Sequence, residues 1–292
     1  MKRILYVISI FVVIAFLLVG CNVGKYKMER TITREYTVNS SSVSLDVSTF
    51  NGDIKVDSHS GDTIYLEARL GARGDNKEAL RNFLHNDIDI IIKGTDNIVI
   101  KALKPSVLPR LVFGAATEFT LKIPEDKIRF LSLSSSNGDM DISDFNGELR
   151  TRTSNGQIDL LGITGQMDLE TSNGKITGYD VSGGLVAETS NGAIYIDTVN
   201  GLEEADLHTS NGRIYLRCNP TGDDYNLDTS NGDISLVVPW ESDLTIDVGN
   251  LDTDDIFSEF DNPSSSGIIT IGAGTNTVYL NTYNGQVEIR GY

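Results

Sequence analysis

Apolar residues fall at every second position on both sides of a recurring Ser-Asn-Gly, which predicts two short, half-buried strands joined by a turn. Three residues after the asparagine stand Met140, Ile158, Ile176, Ile194, Ile214 and Ile234, and two further on Ile142, Leu160, Gly178, Ile196, Leu216 and Leu236. Four before it come Leu133, Thr151, Leu169, Ala187, Leu207 and Leu227, and six before come Leu131, Leu149, Met167, Leu185, Ala205 and Tyr225. The positions between are mostly polar. The asparagines Asn137, Asn155, Asn173, Asn191, Asn211 and Asn231 are 18, 18, 18, 20 and 20 residues apart. A period near 20 residues marks a stacked repeat protein. Leu45, Val47, Ile54 and Val56 fill the same four columns around Asn51, and Val278, Leu280, Val287 and Ile289 fill them around Asn284.

One repeat cannot stand alone. Ordering its backbone costs about 1 to 2 kcal/mol per residue, whereas four buried side chains return about 1.5 to 3 kcal/mol each. Stacked repeats share ladder hydrogen bonds about 4.8 Å apart and seal one another's apolar faces. The expected fold is therefore all-β, a parallel β-helix-like solenoid of 18–20-residue repeats. Asn-Gly between alternating segments is also a strong hairpin signal, and side-chain parity is the same in both arrangements. Six near-identical turns favour turn lying on turn, with the asparagines forming an amide ladder. The glycine after each asparagine is expected to supply positive φ at the corner. Apolar positions are not spaced by six, so a hexapeptide left-handed helix does not fit.

From 60 to about 130 the motif lapses. Strands are expected at Thr63 to Leu70, Ile88 to Lys93, Ile98 to Leu103 and Phe119 to Ile123, with one short helix at roughly Asn76 to Phe83 presenting Ala79, Leu80, Phe83 and Leu84. Regular repeats fill 131–238. From 239 to 292 come an acidic, proline-bearing loop and the last coil. Such a segment suits protection of an open sheet edge better than a calcium site.

The chain opens with Met1, Lys2 and Arg3, then an apolar run from Ile4 to Val19 broken only by Ser9. This is the pattern of a secretory signal peptide over 1–20, too short for a membrane span of about 20 residues. Leu18-Val19-Gly20-Cys21 resembles the bacterial lipobox, which implies that Cys21 becomes the lipidated first residue, followed by a polar tether over 21–40. An extracytoplasmic protein, lipid-anchored to the outer face of the cell membrane or to the outer membrane, is the expectation. Cys218, the second of two cysteines, then has no partner and reads as a small buried filler.

The formal charge is −17, and removal of Lys2 and Arg3 leaves 22 basic against 41 acidic residues, or −19. So acidic a surface argues against nucleic acid and against docking on anionic lipid.

Gly52-Asp-Ile-Lys-Val, a short helix before Ile88-Asp-Ile-Ile-Ile, and Leu121-Lys-Ile-Pro124 leading into Asn137-Gly-Asp-Met-Asp-Ile follow the order of the bacterial DUF4097 family. Over about residues 40 to 292 the chain resembles these β-strand-repeat, adhesin-like proteins. The resemblance implies a parallel solenoid and an extracytoplasmic place, sometimes beside cell-envelope stress regulators. It brings no catalytic residues and no cofactor.

Arg152, Glu170, Glu188, His208 and Asp228 share one outward column, the arrangement a polysaccharide-active β-helix enzyme would need. A straight ladder on a flat sheet offers no cleft, however, so catalysis is not expected; a groove over Glu170, Glu188 and His208 would reverse that. Metal-ligand spacing, a Walker loop, a nucleophile elbow and a dinucleotide fingerprint are all absent from the sequence. Tyr195 and Tyr215 share an outward column, with Tyr179 near them. These three tyrosines form the candidate ligand site, able to stack on sugar rings or anchor a protein partner, against the plainer reading of a stabilising cross-strand pair. The sequence thus points to a non-catalytic envelope scaffold whose partner is an envelope polysaccharide or protein. The alternatives are a polysaccharide-active enzyme on the same frame and a regulatory partner of an envelope-stress sensor.

Overall fold

The computed structural model describes residues 24–249, 251, 253–261, 263, 264 and 267–292. The leader 1–20 and Cys21 lie outside the described residues. The chain divides into two compact units, the boundary falling between Gly138 and Asp139.

In the first unit, Thr63–Gly74 runs antiparallel between Tyr26–Thr37 and Val112–Pro124, from Tyr26 opposite Gly74 to Thr37 opposite Thr63 on one side and with Leu66 opposite Leu121 on the other. Ile54–His59 adds in parallel to Val112–Pro124. Val43–Ser48 lies in parallel between Asn97–Leu103 and Ile128–Ser134, and Asp89–Lys93 closes antiparallel on Asn97–Leu103. The four strands expected between 60 and 130 are therefore present. So is the helix, at Lys77–Asn82, continuing as one wider turn over Phe83–Asp87. Asn76 caps it, its side-chain oxygen accepting from the Ala79 amide at 2.9 Å. Leu80, Phe83 and Leu84 are buried.

A polar tether was expected over 21–40, but the structure places the strand Tyr26–Thr37 there. Met28 and Ile32 are buried, while Arg30 and Arg34 interrupt the same face and disguise it. Arg30 lays its stem along the sheet and donates to the Leu84 carbonyl at 2.9 Å.

The second unit is built of coils with two strands each, and the strands form two parallel stacks. On the side preceding the asparagine, Leu149, Met167, Leu185, Ala205, Tyr225 and Val278 are successive register partners. On the side following it, Met140, Ile158, Ile176, Ile194, Ile214, Ile234 and Val287 are. Parallel pairing at the repeat offset decides for the solenoid and against separate hairpins. All four expected apolar columns are buried.

The chain does not add coils in sequence order throughout. After Ile234–Val238 it runs ahead to Leu244–Asp247 and Ile256–Ser258, turns back antiparallel at Ile268–Ile271, and only then inserts the final coil, Asn276–Thr282 and Val287–Gly291. The acidic segment therefore covers the last coil, as edge protection requires.

Asparagine side chains form the expected ladder. Asn173 donates to Asn155 at 2.8 Å, Asn191 to Asn173 at 2.8 Å, Asn211 to Asn191 at 3.0 Å, Asn231 to Asn211 at 3.0 Å and Asn284 to Asn231 at 2.9 Å. In the first unit Asn137 donates to Asn51.

The glycines differ from expectation in their reason. None of Gly52, Gly138, Gly174, Gly192, Gly212, Gly232 or Gly285 has positive φ. Instead a Cβ on Gly174, Gly192, Gly212, Gly232 or Gly285 would fall within 3.0 Å of the carbonyl oxygen of the preceding coil's glycine. That same oxygen accepts the threonine hydroxyl of the next coil: Thr171 to Gly156 at 2.9 Å, Thr189 to Gly174 at 3.0 Å, Thr209 to Gly192 at 2.9 Å, Thr229 to Gly212 at 2.9 Å and Thr282 to Gly232 at 2.8 Å. In the second unit left-handed backbone occurs at the other corner, at Asp144, Gly162 and Asp180, whereas in the first unit Asn51 itself adopts it.

Gly192→Ala should therefore destabilise by about 2 to 4 kcal/mol, because backbone must move. Gly192→Asn should cost at least as much, although asparagine tolerates positive φ. Gly71→Ala, where an added Cβ meets nothing within 4 Å, should be neutral or stabilise by up to about 1 kcal/mol. Urea unfolding of the three variants checks this, and equal losses at Gly71 and Gly192 would refute it.

Candidate functional site

Stacking converts sequence columns into surface rows about 4.8 Å apart. Four residues past the asparagine, the outward row reads Thr177, Tyr195, Tyr215, Ser235 and Glu288, and Phe257 then adds opposite Glu288. The rings of Tyr195 and Tyr215 stack with centroids 4.5 Å apart and an interplanar angle of 7°. Tyr179 meets Tyr195 at 5.8 Å and 52°. The three tyrosines picked out by column do come together.

Their environments are unequal. Tyr195 carries Tyr215 on one side and Tyr179 on the other, with the Lys175 ammonium 5.0 Å from its ring centre. It is the middle of a structural stack. Tyr215 has Tyr195 against one face only, and the next rung offers no ring but the short side chain of Ser235. Half-buried, Tyr215 lines one end of a trough of about 830 Å³.

The trough runs from Tyr215 across Ser235 and Glu288 to Phe257, three rungs or about 14 Å. Phe257 is 56% exposed. The polar lining is paired internally. Arg213 donates to Asp233 at 2.8 Å, Arg290 to Glu288 at 2.5 Å and Arg217 to Asp197 at 3.2 Å, while the Arg217 guanidinium lies 4.4 Å from the centre of the Tyr292 ring. Arg213, and then the Gln286 amide that donates to it at 3.2 Å, hold the Asp233 carboxyl below the usual carboxylate range.

Sequence reasoning missed Phe257, Ser235 and the arginines around them. Ser235 sits in the tyrosine column and was available. Phe257 was not, because only the doubled-back chain path makes Ile256–Ser258 the rung after Val287–Gly291.

The other sequence candidates fare differently. Arg152, Glu170, Glu188, His208 and Asp228 are in register as expected. Their charges engage each other: Arg152 pairs with Glu170 and Asp168, and His208 lies 3.8 Å from Asp228. They stand in the stack preceding the asparagines, and the trough stands in the other. Among the described residues no group of three or more His, Cys, Asp or Glu could hold a metal ion, and no helix is long and apolar enough to cross a membrane. Cys218 is fully buried, and burial pushes its thiol up to about 12.

Comparison with known families places a match to the Toastrack DUF4097 model over residues 69–290. The chain belongs to the Toastrack DUF4097 family. This Toastrack chain is also similar to two solved structures. One is a candidate cell adhesion protein from Clostridium sporogenes, 11% identical, with a TM-score of 0.29 and covering 89% of this chain and 98% of that one. The other is a candidate adhesin from Bacteroides fragilis, 11% identical, with a TM-score of 0.37 and covering 90% and 97%. No curated protein matches the chain.

Within this Toastrack stack, the Tyr195 hydroxyl is pushed up to about 12, first by burial and then by Tyr215 and Asp197. A folded-state value above the ordinary one near 10 means that the fold favours the neutral phenol. The stability this contributes is complete below about pH 10 and is lost as pH rises toward about 12. Tyr195→Phe should therefore lose less Tm than the parent between pH 9 and 12. Equal losses in thermal scans would contradict the assignment.

Proposed function

We propose that this chain is a non-catalytic, extracytoplasmic lipoprotein, anchored through Cys21, whose rigid coils present an adhesin-like binding surface to a partner in the cell envelope. The observation that carries the reading is that Tyr215 ends the tyrosine stack and lines a trough whose arginines already have carboxylates. An aromatic ring at the end of a stack favours contact with a ligand. Catalysis would call for a carboxyl driven upward toward neutrality to donate a proton, whereas Asp233 is driven the other way by Arg213. In the exposed column, Glu170 pairs with Arg152 and His208 lies against Asp228. The anchor rests on the lipobox-like Leu18-Val19-Gly20-Cys21, and the acidic surface suits a soluble body held beyond an anionic membrane.

The full chain, expressed in a bacterium fed an alkyne-tagged palmitate, should label and enter the detergent phase on phase separation. Cys21→Ala should do neither. In intact or outer-membrane-permeabilised cells, protease should digest the wild-type body. Labelling that persists in Cys21→Ala, or a body protected until the cytoplasm is opened, would overturn the proposal.

A further inference from the structure

We propose that the trough between Tyr215 and Phe257 binds an uncharged glycan chain, one sugar ring stacking on Tyr215. The inference rests on the reading of this surface as a binding site and names what it binds.

Three observations converge on that ligand class. First, the Tyr215 ring lines the trough and is already held by a parallel ring behind it, which limits what must reorganise before a sugar's C–H face meets it. Stacking of this kind buries apolar area without asking for charge. Second, Phe257 supplies a second exposed ring about 14 Å away along the same row, and the volume of about 830 Å³ lies inside the range of about 300–1,000 Å³ typical of small-molecule sites. An extended ligand of more than one ring suits such a spacing better than a single compact one. Third, the floor and walls between the rings are arginine–carboxylate pairs: Arg213 with Asp233, and Arg290 with Glu288, which also accepts from the Ser235 hydroxyl at 3.4 Å. A guanidinium has five N–H donors and a carboxylate about four acceptor sites, so each pair still presents donors and acceptors side by side. Adjacent sugar hydroxyls, each both donor and acceptor, match that pattern.

Charge disfavours an acidic glycan. Three arginines line the trough against Asp233, Asp254, Asp255, Glu259 and Glu288, so an acidic glycan meets a surplus of like charge. A cationic peptide would be drawn to that surplus, and its salt-sensitive binding is the outcome that the titration separates from a glycan's. An uncharged polyhydroxyl chain leaves every pair intact.

The test uses the detergent-solubilised full chain on an array of uncharged and acidic oligosaccharides, followed by calorimetric titration of the strongest uncharged oligosaccharide, of hexagalacturonate and of hexalysine. Two variants accompany it. Tyr215→Ala removes the stacking face. Ser235→Tyr adds a ring to the next rung, extending the tyrosine stack and filling the trough from an outward position without touching the interior. Uncharged glycans should bind, each variant should weaken them by about tenfold or more, and Ser235→Tyr should keep the parent's Tm. Raising salt from 0.05 to 0.5 M should change the affinity by less than about twofold, since no net charge is exchanged.

Failure of every uncharged glycan, or equal binding by Ser235→Tyr, overturns the proposal. Salt-sensitive binding of hexagalacturonate or hexalysine alone also overturns it, and if Ser235→Tyr blocks that binding the surface remains a binding site for a different class. The lipid-anchor experiment is independent of both results.

Discussion

The second unit depends on one close approach, glycine against glycine at the corner of each coil. The carbonyl oxygen of one glycine sits where the next coil's glycine would carry a Cβ, and it accepts that coil's threonine hydroxyl. Beside it the asparagine side chains bond coil to coil. Each corner thus fixes the position of the next to the accuracy of a hydrogen bond, and a side chain on the glycine would hold the stack apart. Burial of the four apolar columns supplies most of the attraction, but it is indifferent to small slips. The corner sets the register.

A constraint confined to the corner leaves the path between corners free. Coils of 18 and 20 residues stack alike, the longer ones absorbing two residues in the irregular pairing between Asp197 and Glu204. Asn284 bonds to Asn231 across 53 residues as readily as Asn211 does to Asn191 across 20. The segment between Val238 and Asn276 could therefore lengthen into a cover for the last coil without disturbing the ladder. That cover also brings Phe257 to the trough, so edge protection and site construction share one insertion.

The interior was legible in the sequence because side-chain parity in a strand has a period of two and is insensitive to strand direction. The columns follow from it, the ladder from the repeated Ser-Asn-Gly, and the helix from its start signal at Asn76. The reason for the glycines was not legible, since positive φ and close approach both demand a missing Cβ and only coordinates separate them. Asp144 and Asp180 carry the left-handed conformation instead, in a repeat column that has Gly162 between them. The strand at Tyr26–Thr37 escaped because its inward face alternates Met28 and Ile32 with Arg30 and Arg34. At the site, the tyrosine cluster could be read from its column. The trough could not, because the rung bearing Phe257 arrives out of sequence order.

Parity also separates what stabilises the coils from what they show to a partner. Ile214 and Leu216 point inward and are sealed by the coils on either side, whereas Tyr215 between them points outward, half-buried, and stacks on Tyr195. Outward residues can therefore change rung by rung at small cost to the fold. Thr177, Tyr195, Tyr215, Ser235, Glu288 and Phe257 form such a row, in which a ring beside a ring stabilises the sheet and a ring beside a serine leaves a face for a ligand. Whether Tyr215 is structural or functional is thus decided less by the tyrosine than by the residue on the next rung. In the binding site proposed above, Ser235 is the side chain that leaves the tyrosine stack open to a ligand.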